Sequence, residues 1–417
     1  MTAERADTRR RTGLFALLAV IGPGVIAASA GNDSGGISTY SVAGADYGYK
    51  MLWLMLLMTP SFAIVQEMAG RMGAVTGKGF AALIRERFGL RPTFLAMLLL
   101  LTSSAATTIA EFAGIAAAMQ LFGVSKYVSV PIAAFVVWVL VVRGSYQRVE
   151  KVLLLLSSVF IAYVVAAFLA GPDWAEVGRS FVVPSVVPTQ AYIALAIGLT
   201  GTTIAPWMQF LVQSNIVDKG TTVQEWALAR WDVIAGAVAA NVIACFIIIT
   251  TATVLHPAGI AVTSAGEAAS ALRPLAGPYA EALFAIGLLS ASVLAAAVLP
   301  LTSSYAICEA FGWESGLDRT WTEAPAFNGI YTFVIVAGAA IILLPELNLI
   351  AIMLVSQVVN GVLLPFLLIF MMGIVNDRRI MGRFVNSRVN NVFSWSTIVI
   401  VISLTVLLLG MTVLGIG

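Results

Sequence analysis

Long apolar runs, cut by short charged or Gly/Pro-rich breaks, dominate the chain, and no stretch alternates apolar and polar residues with the period of a half-buried strand. Cutting at the breaks gives eleven runs, at 14–46, 51–74, 93–121, 127–143, 149–170, 189–217, 227–256, 278–310, 326–344, 349–375 and 391–416. Most reach the roughly 20 residues that a helix needs to cross hydrocarbon. Lipid offers backbone N–H and C=O groups no other partner, so all eleven should be helical. The pattern predicts an all-α polytopic membrane protein of eleven transmembrane helices. It predicts one transmembrane domain over 1–417, with a short N-terminal segment at 1–13.

Two of the runs are irregular. The first carries Gly22-Pro23-Gly24 and then Gly31-Asn32-Asp33-Ser34-Gly35-Gly36; the sixth carries Gly-Leu-Thr-Gly-Thr-Thr-Ile-Ala-Pro at 198–206. Five runs separate the two breaks. That spacing predicts a five-plus-five inverted repeat, 14–170 and 189–375, with 391–416 appended, although no residue-level similarity links the halves. Glycines can also serve only for close helix packing or kinking, but an acidic residue inside the first break argues for a site there.

Composition narrows the function. With 60% hydrophobic and 11% charged residues, the chain has no room for a separate soluble catalytic or nucleotide-binding domain. A formal charge of +2, from 23 Lys plus Arg against 21 Asp plus Glu, offers no footprint for nucleic acid. The cysteines, Cys245 and Cys308, lie far apart in apolar runs, and His256 is the one histidine, so neither a thiolate cluster nor a mechanism of several imidazoles is expected. No nucleophile–base pair or phosphate loop stands in a suitable context, which argues against an enzyme. Alternate connections hold 19 and 4 of the Lys and Arg residues, which predicts a cytoplasmic N-terminus, an external C-terminus and residence in the cell membrane. The basic run Arg9-Arg10-Arg11 before 14–21 resembles a secretory signal, but the charge pattern needs that run as a retained span.

Asp33 is the sharpest feature, because a carboxylate in mid-span is costly unless it meets a cation or water. Unwinding at Gly35 and Gly36 would free carbonyls beside it, the outline of a hard-cation site; the alternative is an Asp that caps a helix end. Glu111 within the third run suggests a polar vestibule, or else a protonated Glu bonded to another helix. Asp232 and Asn241 read as helix-to-helix hydrogen bonders, and Gln357 and Asn360, three apart, as packing glue or cavity lining. Glu67 and Arg71 read as a boundary ion pair, and His256 at a helix end as structural.

Several of these residues together resemble a family. Gly22-Pro23-Gly24, Asp33-Ser34-Gly35-Gly36, Gly44, Gly48-Tyr49 and Leu52-Trp53 are similar to the first span of the Nramp family of divalent transition-metal transporters, around its Asp-Pro-Gly-Asn motif. The likeness continues through Gln66, Arg71, Gly73 and Val75-Thr76-Gly77-Lys78, then Ala110-Glu111-Phe112 with Gly114, Pro206, Asp232, Asn241, Ser356-Gln357-Val358-Val359 and Leu364-Pro365-Phe366. The resemblance implies the inverted-repeat fold of the leucine transporter, with helices 1 and 6 broken.

The departures bear on the substrate. Ser34 and Gly36 stand where the family has Pro and Asn, and Ala205-Pro206-Trp207 stands for its Met-Pro-His. The family's second sixth-span His falls at Val212 and its third-span Asp at Thr108. The resemblance therefore implies a site that has lost its soft thioether and the groups associated with proton coupling, while gaining volume. Such a site suits a small hard ion that keeps its waters, and the pattern resembles the Nramp-related magnesium transporter branch. Carried over residue by residue, Asp33 is the charged ligand, the Ala30 and Thr202 carbonyls sit at the breaks, Gly36, Thr203, Ala205 and Gln357 shape the pocket, and Glu111 lines the aqueous path.

The expected activity is uncoupled uptake of Mg2+, and also Mn2+, by alternating access, with no cofactor, no obligatory protein partner and the lipid bilayer as surroundings. A proton-coupled Mn2+/Fe2+ symporter is the nearest alternative. A sodium-coupled amino-acid transporter is more remote, since Asp33 would repel a substrate carboxylate, and the helix breaks disfavour a receptor or scaffold that transports nothing.

Overall fold

The computed structural model describes residues 33–142, 158–316 and 319–415, and among them every regular element is helical. The long elements are α1 (Ser34–Tyr47), α2 (Leu52–Thr76), α3 (Phe80–Phe88), α4 (Leu90–Leu121), α5 (Lys126–Val142), α6 (Ala162–Ala170), α7 (Trp174–Val182), α8 (Gln190–Thr203), α9 (Pro206–Asp218), α10 (Val223–Val254), α11 (Ala280–Phe311), α12 (Pro325–Ile342), α13 (Leu349–Val375) and α14 (Arg388–Leu414). Eight helical stretches are long and apolar enough to cross a membrane, and α5 and the run 159–170 are shorter apolar helices. Residues 14–32 of the first expected span, with Gly22-Pro23-Gly24 and Ala30, and residues 149–157 of the fifth lie outside the described residues. Not foreseen were α3 and α7, short helices with a charged face that follow α2 and α6.

Residue chemistry sets the ends of the helices. Side chains of Asp33, Asp173, Thr189, Thr222, Asn348 and Ser387 accept the free N–H groups of first turns, and Thr222 with Glu225 forms a reciprocal capping box. Between α1 and α2 the chain turns through a 3-10 segment, Gly48–Met51, whose Gly48 has φ of +60°, a conformation that an L side chain rarely adopts. The His256 ring packs on that glycine, and its Nδ1–H donates to the Ala45 carbonyl at 2.7 Å, so the lone histidine ties α10 to the end of α1.

Apolar burial cannot drive helix association in lipid as it does in water, so close packing and interhelical hydrogen bonds hold the bundle. Gly44 of α1 lies on Ile248 and Thr251 of α10, and Gly201 of α8 lies on Gln357 and Gly361 of α13; a Cβ at either glycine would overlap backbone. Asn241 of α10 donates to the Met55 carbonyl at 3.0 Å and to the Thr59 hydroxyl of α2, as expected of helix glue. Asp232 makes no such bond through Oδ1. The α8–α9 pair forms the centre of the bundle, 89% buried over its most apolar window, whereas α14 stands at the rim with 17%. Phe135, Leu228 and Val413 point outward, 67, 80 and 85% exposed, to be covered by acyl chains.

Arg71 secures one end of α2. Its Nε lies 3.1 Å from Glu67 Oε1, the ion pair read from the sequence, and its two remaining nitrogens donate to the Phe384 carbonyl and Asn386 Oδ1, each at 2.5 Å. One guanidinium thus bonds the connector between α13 and α14 to α2. Arg71→Met removes the donor from a half-buried carbonyl and amide oxygen and leaves Glu67 without its cation, and should cost about 2–3 kcal/mol, whereas Glu67→Gln should cost about 1 kcal/mol. Unfolding of the purified protein in detergent measures both, and the reverse ranking would place the stabilisation in the ion pair instead.

Candidate functional site

The candidate site forms where the first turn of α1, the α8–α9 break and the middle of α13 meet. Asp33 is extended (φ −70°, ψ 173°) and caps α1: its Oδ1 accepts the Gly36 N–H at 2.6 Å and its carbonyl accepts the Ile37 N–H at 3.0 Å. Gly35 and Gly36 therefore lie inside the helix, which corrects the expectation that they unwind and free carbonyls. The cap prevails because Asp33 can satisfy first-turn donors that would otherwise be orphaned in a buried place. One carboxylate oxygen is committed to the cap, so one is left whole for a ligand.

A second carboxylate supports the same turn. Glu111 of α4 is fully buried and accepts the Ser34 N–H on Oε2 at 3.3 Å, while the Ser34 hydroxyl donates to the Ala110 carbonyl at 3.0 Å. Glu111 Oε1 has no hydrogen-bond partner, and the Ser292 hydroxyl of α11 faces this carboxylate. In this conformation Glu111 is in contact with α1 beside Asp33. Gly114 makes the approach possible, since a Cβ there would meet Ser34 and Ser292.

The break between α8 and α9 is short, at Ile204 and Ala205, and the helix continues through the expected irregular stretch as far as Thr203. Pro206 supplies the irregularity. It has no N–H to return to the Thr202 carbonyl four residues earlier, and its ring suits the first position of α9. The Thr202 hydroxyl is buried without a partner, close to Gly36 and Asp33 Oδ1 around the place where a Gly36 Cβ would stand. The Thr203 hydroxyl donates to the Leu199 carbonyl at 2.8 Å and lies 3.4 Å from the Tyr40 hydroxyl, while Ala205 at the break is fully buried.

From α13, Gln357 is fully buried, with Nε2 against Gly35 and facing the Asp33 carboxylate. Its Oε1 accepts from Asn360 Nδ2 at 3.0 Å, and Asn360 is bonded in turn to Ser103 and Thr107 of α4. The structure therefore brings together Asp33, Gly36, Thr202, Thr203, Gln357 and, behind them, Glu111; Ala30 lies outside the described residues. Among the described residues no three His, Cys, Asp or Glu side chains cluster as a metal cage would.

Sequence reasoning missed Tyr40, Met353 and Gln209 among the neighbours of the site. Tyr40 sits four residues after Gly36, a helical spacing that would have placed it on the same face. Met353, one turn before Gln357, holds a thioether near the site, but its sulfur accepts the Ser38 hydroxyl at 3.3 Å. Trp207, where the family has His, is buried with an unpartnered Nε1, and Gln209 is buried with both ends of its amide unpartnered. The methyl group of Thr108 packs toward Gly338 of α12, a helix without any charged residue.

A family model described as natural resistance-associated macrophage protein-like (Nramp) matches residues 24–410. Among solved structures, the chain is similar to a manganese transporter from Eremococcus coleocola, in complex with an aromatic bis-isothiourea substituted compound, with a TM-score of 0.76 at 23% identity over 96% of this chain and 87% of that one. It is similar to MhsT in complex with L-phenylalanine (TM-score 0.57, 16% identity, 93% and 97% covered). A nucleobase-cation-symport-1 family transporter in a closed conformation gives a TM-score of 0.54 (15% identity, 93% and 90% covered). At these identities the likenesses establish the all-helical fold.

The contact between α1 and α13 makes Gly35→Ala informative. A Cβ at Gly35 overlaps the Gln357 amide, so the variant should lose about 1–3 kcal/mol despite the better helix propensity of Ala. Gly410→Ala, in open space on α14, should gain about 0.5–1 kcal/mol. Equal stabilities in detergent unfolding would mean that α1 and α13 do not touch at Gly35.

Proposed function

The chain belongs to the Nramp family, a family of membrane transporters rather than enzymes, and from that premise we propose that it carries Mg2+, and also Mn2+, down the membrane potential without a coupled proton. Asp33 is the charged ligand in this reading, assisted by the Thr202 carbonyl and by oxygens of Thr203 and Gln357, with Ala30 contributing a carbonyl from the preceding segment. The observation that carries it is the donor set around Asp33. It consists of oxygens and an amide; Ala205 stands where the family places a thioether, and Trp207 where it places an imidazole. Hard oxygen donors and one carboxylate suit an ion that dehydrates reluctantly and keeps part of its shell.

The lack of coupling is supported by what lies beyond Glu111 on α4. A proton released near Asp33 has Glu111 beside it, but along the α4–α12 contact it then meets Thr108, Phe112 and Gly338, none of which titrates. With a cytoplasmic N-terminus, two charges moving inward gain about 4.6 kcal/mol per 100 mV, enough to concentrate the ion without another gradient. Five-plus-five inverted repeats and eleven crossings fit this cycle, with α1 and the α8–α9 pair meeting at its centre.

Met353 favours the second reading, proton-coupled Mn2+ transport, because a turn of α13 brings its sulfur near the site. Uptake into proteoliposomes under a potassium-diffusion potential, with lumenal Mg2+ and pH dyes, separates the two. Saturable Mg2+ influx that follows the potential and leaves the pH signal flat is the expected result; Mn2+ moving with protons while Mg2+ stays outside would reverse the assignment. Asp33→Ala should reduce the flux to background in protein that still elutes as a folded monodisperse species. Ala205→Met returns a thioether to the break and should raise the Mn2+ to Mg2+ uptake ratio by about tenfold, the worth of roughly 1.4 kcal/mol of added ligation. An unchanged ratio would place selectivity elsewhere.

A further inference from the structure

The orientation of the Gln357 amide is set from outside the site. Asn360, three residues on and fully buried, donates from Nδ2 to Gln357 Oε1 at 3.0 Å and to Thr107 Oγ1 at 2.9 Å, and its Oδ1 accepts the Ser103 hydroxyl at 2.6 Å. The Thr107 hydroxyl proton is spent on the Ser103 carbonyl at 2.9 Å, so toward Asn360 that oxygen acts as acceptor. Polarity therefore runs outward from the α4 backbone: the Ser103 carbonyl orients Thr107, Thr107 and Ser103 orient Asn360, and Asn360 turns the Gln357 oxygen away from Asp33. What Gln357 presents to Gly35 and the Asp33 carboxylate is Nε2, buried and without a hydrogen-bond partner of full geometry.

That orientation has opposite consequences for the empty and the loaded site. An N–H facing a buried carboxylate offsets part of its charge when no cation is present. The same N–H opposes a metal ion, because an amide ligates a cation through its oxygen. If Gln357 turns over alone, its Nε2–H groups meet the Nδ2–H groups of Asn360 and the bond between the amides is lost.

We propose, on the premise that Asp33 and Gln357 hold the ion as read above, that Asn360 is a positioning residue: anchored by Ser103 and Thr107, it holds Gln357 donor-inward and so weakens ion binding enough for release. The anchoring atoms lie more than 250 positions away in sequence, and both ends of the Asn360 amide are taken up by Ser103, Thr107 and Gln357.

Titration calorimetry of the full-length protein in detergent with MgCl2 tests this. Asn360→Leu should tighten Mg2+ binding about tenfold, the value of roughly one net hydrogen bond that no longer has to break. In a Gln357→Leu background the same change should shift the affinity less than about twofold, because Asn360 then has nothing to orient. Weaker or unchanged binding by folded Asn360→Leu, or an equal shift in both backgrounds, overturns the proposal. If Asn360→Leu does not fold, Ser103→Ala, which removes the donor that fixes Asn360, should tighten binding in the same Gln357-dependent way, and no tightening overturns it. Asp33→Ala separates the premises: retained wild-type affinity defeats the assignment of the site, whereas lost affinity combined with a Gln357-independent effect of Asn360 defeats only the positioning role.

Discussion

The carboxylate of Asp33 closes the first turn of α1, and the centre of the molecule is arranged around that hydrogen bond. A helix that starts inside a membrane protein exposes N–H groups with no water to satisfy them, and its positive end would repel a cation. Asp33 answers both problems with one side chain, since one oxygen caps the turn and its charge outweighs the partial charge of the helix end. The neighbours follow from this. Glu111 takes the Ser34 N–H, Gly35 leaves room for Gln357, and Gly114 leaves room for Ser34. Displacing the cap would leave all three contacts without their counterpart.

The bundle around this turn inverts the arrangement of a soluble core. Its outer faces carry bare Phe, Leu and Val, while its interior holds hydroxyls and amides that bond across helices, as Asn241 does to α2 and Ser104 to the Leu299 carbonyl. Hydroxyls on α4, α8, α10 and α11 also return to carbonyls one turn back in their own helices, which satisfies them wherever no partner helix is near. Polar side chains can therefore line a path for an ion without each being a ligand.

Much of the architecture was legible because it depends on local signals. Apolar run length pointed to the helices, and Gly/Pro clusters to the start of α1 and to the break between α8 and α9. Those clusters did not give the register of the breaks. Gly35 and Gly36 look like unwinding residues until Asp33 is known to cap the turn they belong to, and the loose-looking stretch at 198–203 is helical, with Pro206 alone removing a hydrogen bond. Asn360 read as packing glue or cavity lining because its partners Ser103 and Thr107 lie more than 250 residues away, and Arg71 read as half of an ion pair because Phe384 and Asn386 are more distant still. Neither link leaves a periodic trace in the sequence, whereas Glu67 and Arg71, one turn apart, do.

A transport site has to bind weakly enough to let go, and in the proposed cycle the chemistry around Asp33 meets that requirement without a proton. Its single charge is partly offset by the helix end it caps, roughly half an elementary charge opposing it, so the local field on a divalent ion is modest. A dense carboxylate cage would deepen the well and need a second ion or proton to empty it. With one carboxylate, neutral oxygens and an amide held donor-inward, the well stays shallow, and a retained hydration shell supplies the remaining ligation. The potential acting on two charges then provides direction. In the proposed cycle, selectivity arises from what the site lacks, the thioether at Ala205 and the imidazole at Trp207, as much as from the oxygens it retains.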